Sequence, residues 1–214
     1  ESVKHAVGIA NDLNIPLLYI STAGIFDGKK DTYDESDKPK PLGHYGRSKY
    51  LGEVYVQENS NNHIICRAGW MMGGGERKDK KFIQKLIKQI TEGASSLNVV
   101  NDKLGTPTYT HDFANNVKIL INKGECGLFN MVCKGLSGRL EVANELISLL
   151  GLKDQVEVNE VTSEFFSEEY FAERPECERL VNKRLDNLDL NIMRDWRVAL
   201  KDYLEAYYSD MIVK

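Results

Sequence analysis

The chain has 214 residues, of which 42% are apolar and 28% are charged, and these are ordinary values for a globular protein. The formal net charge of −4 argues against a nucleic-acid-binding protein that depends on bulk positive charge. No apolar run approaches the roughly 20 residues of a membrane-spanning helix, so we expect neither nucleic acid nor a membrane as a partner.

The first quarter of the chain alternates between helical and strand patterns. Apolar residues at helical spacing predict a helix over residues 1–13, and Pro16 lies just beyond its end. The apolar run at 17–21 predicts a buried parallel strand, and Thr22 stands where this strand ends. The stretch 28–43 is polar and rich in proline and glycine, which predicts a loop whose acidic residues are solvated.

The remainder of the chain continues this alternation. Helices are predicted over 44–60, 79–92, 111–122, 140–151 and 185–211. Strands are predicted over 63–67, 97–100, 127–132 and 156–162, with a turn or edge strand at 105–110. Strands that alternate with helices predict an α/β fold with a mainly parallel sheet.

The cysteines and histidines show no pattern of metal ligands. The cysteines at 66, 126, 133 and 177 form no CxxC pair, and the histidines are scattered. Cys66 lies in an apolar run, which predicts a buried reduced thiol. We therefore expect no structural metal, and we expect a cytoplasmic protein.

A tyrosine and a lysine stand four residues apart at the start of the predicted helix 44–60. On that helix Tyr45 and Lys49 would share one face, and in α/β sheets ligands bind at the carboxyl ends of strands, where Thr22 stands. A nearby ammonium lowers the pKa of a phenol. Such a set can pass a proton to an alkoxide while a hydride arrives at carbon. The alternative is an ordinary surface pair.

Five segments together resemble the extended short-chain dehydrogenase/reductase superfamily, and within it the dTDP-4-dehydrorhamnose reductases. They are, in order, YISTAGIFDG with YDESDKPKPLGHYGRSKYLGE, CRAGWMMGGG, VVNDKLGTPTYTHDFA, GLFNMV, and AERPECERLVNKRL with MRDWRVALKDYL. The resemblance covers essentially the whole chain. It implies the C-terminal part of an NAD(P)-binding Rossmann fold plus a smaller mixed α/β substrate domain.

The resemblance also implies how the chain divides. Residues 1–69 correspond to the C-terminal part of the Rossmann domain, to which 93–102 and 111–122 return. The substrate-binding domain would consist mainly of residues 70–92, 103–110 and 123–214. A homodimer is a further expectation.

For catalysis, the resemblance implies that Thr22 is the hydroxyl residue and Tyr45 the general acid. Lys49 would bind the cofactor ribose and tune the tyrosine. The cofactor would be NADP or NAD, in contact with Tyr45, Lys49 and Gly69.

For the substrate, the resemblance implies a nucleotide-linked 4-keto-6-deoxy sugar, as in dTDP-rhamnose biosynthesis. Trp70 would pack on the sugar, and Lys103 and Arg174 would lie beside the nucleotide portion. Two alternatives remain open: an epimerase or dehydratase of the same superfamily, and a non-catalytic binding or regulatory protein on this fold.

The chain departs from the family pattern at several positions. Ala23 and Gly24 stand where the family has Asp-Tyr, and Lys103 stands where glutamine is common. The glycine fingerprint of the cofactor loop would precede the first helix, and the glycines at 73–75 lack its spacing. We therefore expect that the chain lacks the N-terminal half of the Rossmann domain.

Overall fold

The structure is a computed structural model that describes residues 1–168 and 173–212. Its α-helices are α1 (Ser2–Asp12), α2 (His44–Asn59), α3 (Gly75–Lys78), α4 (Phe82–Thr91), α5 (Thr110–Lys123), α6 (Arg139–Leu149), α7 (Lys183–Asn187) and α8 (Trp196–Tyr207). Its strands are β1 (Leu17–Thr22), β2 (His63–Ala68), β3 (Trp70–Met72), β4 (Ser96–Val100), β5 (Leu104–Gly105), β6 (Pro107–Tyr109), β7 (Gly127–Asn130), β8 (Glu157–Val161) and β9 (Cys177–Glu178).

The strands pair in parallel and form one larger sheet and three small ones. The larger sheet has the order β1-β2-β7, and the small sheets are β3-β6, β4-β8 and β5-β9. Helices alternate with these strands along the chain. The α/β fold with parallel strands, predicted from this alternation, is therefore confirmed.

The two apolar strands 17–22 and 63–68 differ in burial. β2 lies between two neighbours, and its residues from Ile64 onward are buried. β1 has a described neighbour on one side only, and Leu18 and Ile20 keep 38% and 42% of their surface exposed. The prediction of a buried β1 is thus wrong, since Ser21 alone among its six residues is buried. An apolar run does not reveal whether its strand is central or at an edge.

Strand pairing differs in two places from the expected division of the chain. β4, within the segment 93–102 that was expected to return to the Rossmann part, pairs with β8 instead. β7, within 123–214, joins β2 in the larger sheet. Short apolar strands carry no information about their partners, which explains the difference. The division as a whole stays a prediction, and residues 169–172 and 213–214 of its second part lie outside the described residues.

The C-terminal segment contains two helices rather than one. Between α7 and α8, the backbone N–H of Ile192 donates to the side-chain oxygen of Asn116, and that of Met193 donates to Asn191. These bonds replace the helical ones, and Asp195 then caps α8 by accepting from the N–H of Arg197. The expected packing of Trp196 in the core is confirmed, because its side chain is fully buried.

The acidic loop within residues 28–43 is anchored rather than solvated. Tyr33 is buried, its N–H donates to the carbonyl of Arg179, and its carbonyl accepts from the N–H of Val181. Oε1 of Glu35 accepts from the N–H groups of Asn130 and Arg184. Burial raises the pKa of the Glu35 carboxyl. The loop thereby holds the residues that follow β9.

Three smaller findings concern the thiols, metals and membranes. Cys66 is fully buried, as predicted, and burial raises the pKa of its thiol to about 12. Within residues 1–168 and 173–212, no three His, Cys, Asp or Glu side chains are grouped to hold a metal ion. In the same ranges, no helix combines the length and the apolar character needed to cross a membrane.

Candidate active site

The candidate site lies at the carboxyl edge of β1 and β2. Thr22 is paired in register with Ala68, so Thr22, Gly69 and Trp70 all lie near this edge. Oγ1 of Thr22 accepts a hydrogen bond of 3.2 Å from the N–H of Gly24. Because the oxygen acts as acceptor in this bond, the Thr22 hydroxyl keeps its own hydrogen for donation to a ligand.

The N-terminal turn of α2 packs directly on the turn that follows β1. A Cβ at Gly46 would lie 2.1 Å from the carbonyl oxygen of Gly24, so only glycine permits this approach. The contact brings Tyr45, which is next in the chain to Gly46, close to the end of β1. Tyr45 is 67% exposed, and no described residue hydrogen-bonds its hydroxyl. That hydroxyl can therefore meet a ligand.

Lys49 lies one turn further along α2 and contacts Tyr19. Its ammonium nitrogen is 4.3 Å from the centre of the Tyr19 ring, and the Tyr19 hydroxyl donates to the Lys49 carbonyl over 3.1 Å. A Cβ at Gly52 would lie 2.2 Å from the Tyr19 hydroxyl oxygen. Burial lowers the pKa of Lys49, and the carboxylate of Glu53 opposes this shift. Sequence patterns did not point to Tyr19 as the support of this lysine.

A buried ion pair fixes α2 on the sheet. Arg67 on β2 and Glu53 on α2 are joined by three N–H···O contacts of 2.8, 3.0 and 3.3 Å, and their side chains are only 3% and 1% exposed. Glu53 follows Lys49 by four residues and lies on the same face of α2. The ion pair therefore fixes the position and orientation of the face that carries Tyr45 and Lys49. The charged Arg67 inside an otherwise apolar strand is the sequence signal that could have revealed it.

Trp70 is held by contacts on its edge and its face. Its indole N–H donates to Oε2 of Glu178 over 2.9 Å. The guanidinium carbon of Arg139 lies 4.7 Å from the centre of the Trp70 ring. A Cβ at Gly105 would lie 2.4 Å from the nearest atoms of the same ring. The predicted sugar-packing residue is therefore oriented before any ligand binds, and sequence reasoning missed Glu178 and Arg139.

The other predicted binding residues occupy two different surroundings. Gly69 packs against Thr106, whose carbonyl oxygen would lie 2.2 Å from an added Cβ, so packing alone explains this glycine. Lys103 donates from its ammonium to the carbonyl of Arg174 over 3.3 Å. The structure thus brings Lys103 and Arg174 together, beside the paired strands β5 and β9 that also lie next to Trp70.

An open groove between α1 and α2 lies beside Lys49. Its lining includes the cationic side chains of Lys4, Arg47 and Lys49, with one carboxylate at Glu1. The hydroxyl of Ser48 also lines it. A groove with these donors fits the ribose and phosphate groups of a dinucleotide.

Residues 1–209 match the family model described as the RmlD substrate binding domain. The chain belongs to this family.

Several curated relatives of this chain carry names from sugar and polysaccharide metabolism. It is 30% identical over 193 residues to the spore coat polysaccharide biosynthesis protein SpsK of Bacillus subtilis, covering 90% of this chain and 65% of that protein. It is 30% identical over 193 residues to a dTDP-4-dehydrorhamnose reductase of Mycolicibacterium smegmatis, covering 89% and 57%. The chain therefore spans less than two thirds of the length of these relatives.

Solved structures of the reductase share the fold. The crystal structure of dTDP-4-dehydrorhamnose reductase from Yersinia enterocolitica is 33% identical with a TM-score of 0.88, covering 96% of this chain and 71% of that one. The reductase from Bacillus anthracis, described in complex with NADP, is 27% identical with a TM-score of 0.88, covering 95% and 70%. The resemblance inferred from the sequence motifs is confirmed.

Proposed function

We propose that this chain carries the substrate side and the catalytic residues of an NADP- or NAD-dependent reductase of a nucleotide-linked 4-keto-6-deoxy sugar. The reductases among its relatives, named for dTDP-4-dehydrorhamnose, support this choice of substrate. The observation that carries the proposal is the contact between Gly24 and Gly46, which brings Thr22 and Tyr45 to one edge of the sheet.

In the proposed reaction, a carbonyl group of the sugar becomes a secondary alcohol. Thr22 donates a hydrogen bond to the carbonyl oxygen, and Tyr45 gives the same oxygen its phenolic proton. A reduced nicotinamide dinucleotide, when bound, supplies the hydride that the carbonyl carbon receives. The ammonium of Lys49, one helical turn from Tyr45, favours the phenolate that remains after proton transfer.

The proposed cofactor contacts lie along the groove beside α2. Tyr45 and Lys49 would hold the ribose next to the nicotinamide, and the donors of Lys4 and Arg47 fit a negatively charged dinucleotide. The NADP named for the Bacillus anthracis reductase supports this cofactor class. Gly69 remains a proposed cofactor contact, although its packing on Thr106 already accounts for a glycine there.

The proposed substrate contacts lie on the other side of Thr22. Trp70, held through its indole N–H and packed against Arg139, is the proposed contact for the sugar ring. Lys103 and Arg174, joined through the Arg174 carbonyl, lie where cationic groups could face a diphosphate. The homodimer and the cytoplasmic location stay predictions.

A second candidate function is a non-catalytic subunit on the same fold. The chain is 32% identical over 120 residues to a zebrafish protein named methionine adenosyltransferase 2 subunit beta, covering 56% of this chain. The Tyr45 hydroxyl accepts or donates no hydrogen bond among the described residues, which is compatible with this alternative. In such a protein the sugar would be left unchanged.

One assay separates these candidates. The protein is mixed with dTDP-4-dehydrorhamnose and either NADPH or NADH, and both the absorbance of the reduced nicotinamide and the sugar product are followed. A reductase consumes one reduced cofactor for each sugar converted. An epimerase or dehydratase changes the sugar without net loss of reduced cofactor. If the protein binds both the sugar and the cofactor and changes neither, the result would contradict the proposal and favour the non-catalytic subunit.

A further inference from the structure

A carboxylate lies at the sugar side of the candidate site without a described counter-ion. Glu178 is partly buried in β9, where it is paired in register with Gly105 of β5. Its Oε2 accepts the indole N–H of Trp70, whereas Oε1 makes no hydrogen bond within residues 1–168 and 173–212. One oxygen therefore fixes the side chain and the other remains an open acceptor.

The open oxygen faces the space beside Gly24. A Cβ added at Gly24 would lie 3.1 Å from Oε1 of Glu178 and 3.6 Å from Oγ1 of Thr22. Oε1 of Glu178 and Oγ1 of Thr22 therefore both lie near the α-carbon of Gly24, on the side where another residue would carry its Cβ. The aromatic side chain that the family pattern would place at this position is absent.

We propose that Glu178 determines sugar specificity by accepting a hydrogen bond from a ring hydroxyl of the bound hexose through Oε1. This inference rests on the proposed function, because it requires a nucleotide sugar whose ring packs on Trp70. A carboxylate accepts hydrogen bonds from neutral hydroxyls and repels a second carboxylate. The site therefore favours a neutral hexose over a hexuronic acid.

The test compares ligands with and without the sugar. The affinities of dTDP and dTDP-glucose are measured by calorimetry for the wild type, for Glu178→Gln and for the control Glu176→Gln. Glu176 is exposed and lies two residues away, so the control makes the same charge change in the same segment. We expect Glu178→Gln to weaken the binding of dTDP-glucose about tenfold, since a hydrogen bond to a charged group is lost. The affinity for dTDP should stay unchanged.

A second variant keeps an aromatic ring at position 70 and removes the hydrogen bond that holds the Glu178 carboxylate. Trp70→Phe removes the indole N–H that orients Glu178 and retains an aromatic face. We expect it to weaken the binding of dTDP-glucose. Adding Glu178→Gln to this variant should lower the affinity little further, because the two residues act as one unit. Melting temperatures of all variants show whether each protein remains folded.

The outcomes separate this inference from the function on which it rests. If the wild type binds neither dTDP nor dTDP-glucose, the proposed function fails and the role of Glu178 fails with it. If the wild type binds dTDP-glucose more tightly than dTDP, but Glu178→Gln matches the wild type for both ligands, only the role of Glu178 is overturned. The role of Glu178 would also be overturned if both variants lost affinity equally, and for dTDP as well as for dTDP-glucose. The effect would then be one of general electrostatics.

Discussion

Gly46 at the start of α2 lies against the carbonyl oxygen of Gly24, and a Cβ at position 46 would lie only 2.1 Å from that oxygen. This contact joins the helix that carries Tyr45 and Lys49 to the turn that follows Thr22. The proposed proton donor and the proposed hydroxyl residue thus depend on two glycines that perform no chemistry.

Gly46→Ala tests this contact. The added methyl group must push α2 away from the turn, and overpacking of this kind costs about 1 to 3 kcal/mol of the free energy of unfolding. We expect a lower melting temperature together with a loss of turnover. Gly8→Ala in α1 is the matched control, because a Cβ there meets nothing within 4 Å. The control should be neutral or stabilising by about 0.5 to 1 kcal/mol. Equal behaviour of the two variants would contradict the role of Gly46.

The ion pair between Arg67 and Glu53 gives a second prediction. Arg67→Met leaves the Glu53 carboxylate buried without its partner, which costs about 3 to 5 kcal/mol of the free energy of unfolding. Urea unfolding measures this loss. Adding Glu53→Leu should recover much of it, because no charge then remains buried. Lys201→Met is the control, since it breaks the exposed Lys201–Glu205 pair and should change stability by less than about 1 kcal/mol. An Arg67→Met protein as stable as the control would show that the pair does not anchor α2.

Glu35 gives a prediction on pH. Burial raises the pKa of its carboxyl in the folded protein above the ordinary value of 4.5. The folded state then holds this proton more tightly than the unfolded state, so this contribution to stability decreases as the pH rises from the unfolded pKa through the folded pKa. Glu35→Gln cannot ionise and should show a flatter dependence of stability on pH in this range. Glu58→Gln, at an exposed position, should keep the wild-type slope. An unchanged slope in Glu35→Gln would contradict the prediction.

Local patterns in the sequence predict many of the elements but few of the contacts between them. The central strand β2 and the buried Trp196 follow from apolar runs and helical spacing. The shared helix face of Tyr45 and Lys49 follows from their spacing in α2. Such patterns depend on neighbours within a few residues, and this is why they succeed for single helices and strands.

The contacts that shape the site join residues that are far apart in the chain. Trp70 and Glu178 are separated by 108 residues, and nothing local to either position indicates the other. The carboxylate of Glu35 likewise accepts hydrogen bonds from the distant backbone N–H groups of Asn130 and Arg184. The pairing of β4 with β8 was missed for the same reason. A sequence without an alignment offers no signal for partners of this kind.

The most direct test of the proposed mechanism is the turnover of Tyr45→Phe with dTDP-4-dehydrorhamnose and NADPH, measured together with the affinities for both ligands. Phenylalanine keeps the phenyl ring and removes the hydroxyl group whose proton Tyr45 would give to the sugar oxygen. We expect turnover to decrease by a factor of about 10² to 10⁴, the usual contribution of a general acid, while both ligands still bind. Turnover at the wild-type rate would contradict the assignment of Tyr45 as the proton donor.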